Sequence, residues 1–257
     1  MATKLSTVLN SHLRELRFEP TAKRIRALLG PAVVLDSRRA VLVWEPRRVL
    51  LNYAVPVDDV VATLAPSPGE PPPPPAGFVL HAGIPFAVHM SPGTSLDVAA
   101  GDNQAADGAF RLDDPDLAGH ILFDFDAFDW LEEDEPVIGH PRDPFHRVDV
   151  RQGSEHVRIH KDGLRLAESV SPKLVFETSL QTRIYLPPDD VDFDTLVRTD
   201  STTICQYKGR ASYWALASDP SVDVAWSYET PFTDAADLAG FIAFYDDLVD
   251  VEVDVDT

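Results

Sequence analysis

Residues 203–214, TICQYKGRASYW, place the chain's single cysteine, Cys205, three positions before Lys208. A lysine near a thiol favours the thiolate, the form that attacks electrophiles and exchanges disulfides, so the pair is a candidate nucleophile with its activator. No general base lies in the local sequence; His156 or His160 would have to approach through the fold. The competing reading is a small hydrophobe at a strand end, a common situation for a free cysteine.

The same region gathers aromatic residues: Tyr207, Tyr213, Trp214, Trp226 and Tyr228. Side chains alternate along a strand, so Tyr213 and Trp214 must point to opposite faces while Trp226 and Tyr228 share one. One of the first pair can therefore join the second pair to wall a pocket, leaving the other in the core. Such walls suit a planar or cationic small molecule, and Arg183, in TRIYLP beside Tyr185, or Lys208 at the rim would fix a carboxylate or phosphate. Packing alone is the competing use of strand aromatics.

Metal chemistry has less to work with. His140, His146, His156 and His160 follow no ligand spacing, and His156 and His160 on one strand face would sit roughly 13 Å apart. Asp124-Phe125-Asp126 puts two carboxylates on one face, the minimum for a pair of magnesium ions. No Gly-Ser phosphate loop precedes it, and its counterpart Tyr245-Asp246-Asp247 loses the spacing, so a solvated face is the expectation. The closing DLVDVEVDVDT reads the same way, without calcium-loop spacing. We expect no metal and no cofactor.

The elements that must position these groups are legible from repetition and texture. The sequence DLAGHILFDFDAFD (116–129) matches DLAGFIAFYDDLVD (237–250) at eight of fourteen positions. In the same order, VVLDSRRAVLVWE (33–45) reads like EHVRIHKDGLRLAE (155–168), and YAVPVDDV (53–60) like IYLPPDDV (184–191). Period-two runs such as HVRIH, KLVFE and DVAWSY, broken by Asp-Gly, Lys-Gly and Pro-Pro turns, make the chain mainly β. Helix is expected only over residues 4–29 and for a turn or two at each DLAG. The division is an N-terminal basic helical arm (1–30), a first β domain (31–134) and a second (135–257). A Pro-rich surface loop (67–77) interrupts the first β domain.

Composition bounds the partners. The 257 residues hold 22 Lys+Arg against 42 Asp+Glu, a formal net charge of -20, which repels nucleic-acid backbones and anionic lipid. Basic residues concentrate in the first thirty positions, where they could dock on an acidic body. No apolar run approaches the roughly 18 residues that span a bilayer, and one cysteine suits a reducing compartment, so a cytoplasmic protein is expected.

Several motifs occur in an order that resembles a known family, the domain of unknown function numbered 427, in its tandem actinobacterial form. They are HPRDPFHRVDV (140–150), LAES (166–169), FETSLQTRIYLP (176–187), TTICQYKGRASYW (202–214), VAWSYETP (224–231) and AGFIAFYDD (239–247). RFEPTAKRIRALLG and VLVWEPRRV look like the corresponding parts of a weaker first copy. The resemblance implies two tandem antiparallel domains of the β-tent (Mss4-like) fold, a bacterial protein, and no established activity. The family usually has Cys-Pro-Tyr-Lys-Gly where this chain has Gln206, and the first copy lacks the motif, with GTSLDVAA (93–100) in its place.

The reading is a small-molecule-binding module in the second domain, whose ligand is planar or anionic. Its site comprises Arg183, Tyr185, Tyr207, Lys208, Tyr213, Trp214, Trp226 and Tyr228. The alternatives are a thiol-dependent enzyme using Cys205 with Lys208 in the same pocket, or a structural or adaptor protein.

Overall fold

Alternation decides the strands. In HVRIHK the buried residues are Val157 and Ile159, whereas His156, Arg158 and His160 between them are only partly covered. The two-residue turn that follows, Asp162-Gly163, has both φ values positive (53° and 79°), the conformation whose twist matches a tight hairpin. The computed structural model describes residues 2–69, 72–73 and 84–254, which form two compact units, Met1–Asp143 and Pro144–Thr257.

The first unit begins with a short helix, α1 (Leu5–Ser11), and one 3-10 turn (His12–Arg14). Its strands are β1 (Arg17–Pro20), β2 (Ile25–Leu29), β3 (Ala32–Ser37), β4 (Val41–Trp44), β5 (Asn52–Pro56), β6 (Thr63–Pro66), β7 (Gly93–Ala100), β8 (Asn103–Leu112), β9 (His120–Phe123), β10 (Asp129–Glu132) and β11 (Glu135–Val137). They make a seven-stranded sheet, β1-β4-β5-β9-β8-β7-β6, and a four-stranded one, β11-β10-β2-β3.

The second unit has β12 (Val148–Gln152), β13 (His156–Lys161), β14 (Leu164–Ser169), β15 (Lys173–Glu177), β16 (Arg183–Leu186), β17 (Leu196–Cys205), β18 (Gly209–Leu216), β19 (Asp219–Ser227), β20 (Ile242–Phe244) and β21 (Asp250–Asp254). Its sheets run β12-β15-β16-β20-β19-β18-β17 and β14-β13-β21. Taken in chain order, β12 to β21 pair as β1 to β10 do, and every named pair is antiparallel.

Each large sheet buries both faces. In the second unit one face packs Trp214, Leu216, Ala225 and Phe244 against Val157, Ile159 and Leu166 of the small sheet. The other carries Val175, Tyr185, Tyr213, Trp226 and Tyr228. Consecutive Tyr213 and Trp214 thus serve opposite faces, as alternation demands.

Several expectations are corrected. The helix stops at Ser11, and of the stretch read as helical, residues 17–20 and 25–29 lie in β1 and β2, because Ile25 and Ala27 find a fully buried sheet position that outweighs local propensity. The segment 1–30 is therefore no separate arm. Lys23 pairs with Glu132, Arg24 with Asp36 and Arg26 with Asp134, all within the first unit. The units divide at 143/144 rather than 134/135, because β11 extends the first unit by pairing with β10.

The match of 33–45 with 155–168 is also out of step: β2 and β3 correspond to β13 and β14, so residues 24–37 match 156–169. Ser37 and Ser169 then coincide, each buried and each accepting the backbone N–H two residues on (3.0 Å in both). Both DLAG segments are 3-10 turns, Pro115–Leu117 and Thr233–Leu238. The Pro-rich loop lies largely outside the described residues. Among those described, no helix is long and apolar enough to cross a membrane.

Trp214 anchors the inner face of the second unit, so Trp214→Ala is expected to cost about 3–5 kcal/mol through the cavity it leaves. Urea unfolding measures this; a loss below about 1 kcal/mol would show that the ring does not carry that packing.

Candidate functional site

Strand register assembles the site. Tyr213 on β18 lies opposite Trp226 on β19, Trp226 opposite Ala243 on β20, and Ala243 opposite Tyr185 on β16. In-register neighbours share a sheet face, so these residues form one row across the sheet. Ala243 is the short member, and across it the Trp226 indole N–H donates to the Tyr185 hydroxyl at 3.0 Å. Tyr228, two residues beyond Trp226, falls on the same face, and Tyr245 packs on Trp226 with ring centroids 4.6 Å apart.

Above this floor lies a cavity of about 420 Å³. Aromatic residues make its walls: Tyr185, Tyr213, Trp226, Tyr228 and Tyr245. Glu177, Arg183 and Lys208 supply charge, and Ser179, Leu180 and Gln181 of the β15–β16 turn close one side. Burial holds the Tyr185 and Tyr228 hydroxyls well above the ordinary phenol range. Tyr245 is pushed up to about 12, chiefly by burial and further by the Tyr213 hydroxyl. All three therefore stay neutral near pH 7 and can donate hydrogen bonds.

Glu177, at the end of β15, is the electrostatic centre, with its side chain only 7% exposed. Its Oε1 faces His146 Nε2 at 2.9 Å, and its Oε2 accepts from the Lys208 ammonium. Burial alone would raise this carboxyl, but the hydrogen bonds from His146 and Lys208 outweigh it and the net shift is downward. The His146 ring stacks on Tyr207 at 4.1 Å.

Together these contacts bury the turn 206–208, which joins β17 to β18 and would ordinarily be exposed. Those three residues make the turn, not Gly209 as its position suggested. Gly209 opens β18 opposite Cys205 at φ 112°, where a Cβ would come 3.4–3.5 Å from the backbone of Thr230 and Phe232.

Of the residues singled out in the sequence, Arg183, Tyr185, Lys208, Tyr213, Trp226 and Tyr228 line this one cavity. Tyr207 and Trp214 do not: Tyr207 is committed to His146, and Trp214 faces the inner core. Cys205 is half-buried beside the outer aromatic cluster. The Lys208 ammonium that would have activated it is bound to Glu177 instead. Arg183 pairs with Asp246.

Sequence reasoning missed Glu177, His146 and Tyr245. Glu177 had a signal, a carboxylate ending the apolar run LVF (174–176) before a turn; the other two join the site only through register and stacking.

The first unit carries the same outer face. Val43 lies opposite Asn52 as Val175 lies opposite Arg183, which makes Glu45 the counterpart of Glu177. Ala54 and Phe110 flank Leu122 as Tyr185 and Trp226 flank Ala243. Glu45 is fully buried and accepts from the backbone N–H groups of Met90 and Ser91 at 3.0 and 3.2 Å. Its other oxygen lies 3.0 Å from His89 Nδ1. The Arg48 guanidinium donates to the carbonyls of Pro85 and Val88. Residues 85–91 are thus tied down over the position that is open in the second unit.

Residues 149–255 match the family described as Domain of unknown function (DUF427), so the chain carries a DUF427 domain that takes in almost all of the second unit. No curated protein matches the chain.

Because the folded Glu177 carboxyl ionises below its ordinary value of 4.5, it contributes stability that is complete above that value and lost as pH falls through the lower folded one. The stability difference between the native protein and Glu177→Gln should therefore shrink on acidification. Urea midpoints taken from neutral to acidic pH test it, and a difference independent of pH would refute the ion-paired state.

Proposed function

We propose that the second unit is a small-molecule-binding module whose ligand presents a planar ring to Trp226 and an acidic group to Arg183. The observation that carries this reading is the cavity itself. Five aromatic side chains converge on about 420 Å³ of space, with a guanidinium at the edge and a neutralised carboxylate at the base. Concave, mainly apolar sites with a few convergent polar groups are the usual form of small-ligand sites.

Arg183 suits the recognition role because its side chain is 36% exposed and its partner Asp246 is 47% exposed, so the pair can open to a bidentate acid at little cost. Its guanidinium carbon also lies 6.0 Å from the Trp226 ring centroid, close enough to bridge an acid and the ring.

On the same reading the chain is a tandem pair of DUF427 domains of β-tent (Mss4-like) form, of which the first no longer takes a ligand. The identical strand order supports the duplication, and the occupied first site supports the division of labour. The charge of -20 favours a small molecule over nucleic acid or anionic lipid as partner.

A thermal-shift series of aromatic carboxylates and aryl phosphates on the full chain tests the proposal. At least one should raise the melting temperature, and Arg183→Lys should weaken it roughly 10-fold, about 1.4 kcal/mol, because lysine cannot reproduce the two-pronged contact. The variant's own melting temperature should change little. Stabilisation that survives Trp226→Leu undiminished would place the ligand elsewhere and sink the proposal.

A further inference from the structure

In the first unit, the position equivalent to the cavity floor is covered by an imidazole. The His89 ring stacks on Phe110 with centroids 3.5 Å apart and planes 12° from parallel, and Phe86 meets it edge-on at 4.9 Å. Its Nδ1 faces Glu45 at 3.0 Å, and its Nε2 is buried without a partner. Phe110 is the register counterpart of Trp226 and Glu45 that of Glu177, so the ring occupies the place where the second unit has space. The two units differ there because of chain length: β6 and β7 are joined through residues 67–92, whereas β17 and β18 are joined by the tight turn 206–208.

We infer that His89 is a built-in occupant of the repeat's ligand position, and that the ligand of the second unit is a flat nitrogen heterocycle that stacks on Trp226 and donates a ring N–H to Glu177. This rests on the small-molecule reading above and specifies its chemistry. Glu177 can serve a third donor, since His146 holds one carboxylate oxygen and Lys208 the other, and each oxygen keeps a second lone pair. A ring N–H meeting a carboxylate makes a charge-assisted hydrogen bond that a phenyl ring cannot make. The indole face of Trp226 is a better platform than Phe110 for a ring bearing partial positive charge. The cavity exceeds an imidazole in volume, which leaves room for the acidic substituent directed at Arg183.

Two measurements on the full chain test the inference. The first compares imidazole-4-acetate with phenylacetate, which carries the same acid on a ring without N–H, by calorimetric titration. The heterocycle should bind at least 10-fold tighter, with loss of its binding in Trp226→Leu. Equal affinities would overturn the N–H assignment while leaving the aromatic pocket standing, and binding of neither would overturn both. The second removes the built-in ring: His89→Ala should lower the melting temperature of the first unit, and free imidazole should restore part of it where benzene does not. Failure of imidazole to do so, or equal rescue by benzene, would overturn the occupant role of His89.

Discussion

A carboxylate drawn out of water at the end of a strand must be met by donors, and much of the second unit is arranged around that demand at Glu177, the last residue of β15. His146 supplies one donor from the segment leading into β12, and Lys208 supplies the other from the turn between β17 and β18. Both are drawn inward with it: the turn that carries Lys208 is buried, and Tyr207 within it stacks on the His146 ring. Removing one partner of such a group leaves an uncompensated charge, which costs far more than the pair itself contributes. The first unit meets the same demand at Glu45 with other groups, two backbone N–H donors and an imidazole.

The large sheet turns this anchor into a site because it is covered on both faces. Its inner face is a packed core shared with the small sheet, and there aromatic bulk, as at Trp214, fills space. On the outer face the row from Tyr213 to Tyr185 has large rings separated by the small Ala243. In the first unit the corresponding centre is Leu122, flanked by Ala54 and Phe110, and the gap is filled from the chain itself by Phe86 and His89. One scaffold thus yields an open face in one unit and a closed face in the other, and what differs is the connection between two neighbouring strands.

The sequence by itself determined the β character, the existence of two similar halves and the opposite orientations of Tyr213 and Trp214. All three follow from period-two alternation and repetition, which are properties of the chain. It also singled out six of the residues that line the cavity, because aromatic and basic residues were concentrated in three successive motifs. Tertiary structure alone decided the rest. Residues 17–20 and 25–29 became strands because sheet partners outweighed a helical pattern, and the true match of 24–37 with 156–169 emerged from pairing rather than from letters. Lys208 paired with Glu177, and His146 and Tyr245 joined the site from distant segments. Which side chain satisfies a buried charge depends on the register of non-neighbouring strands, and strand spacing along the chain does not contain that information.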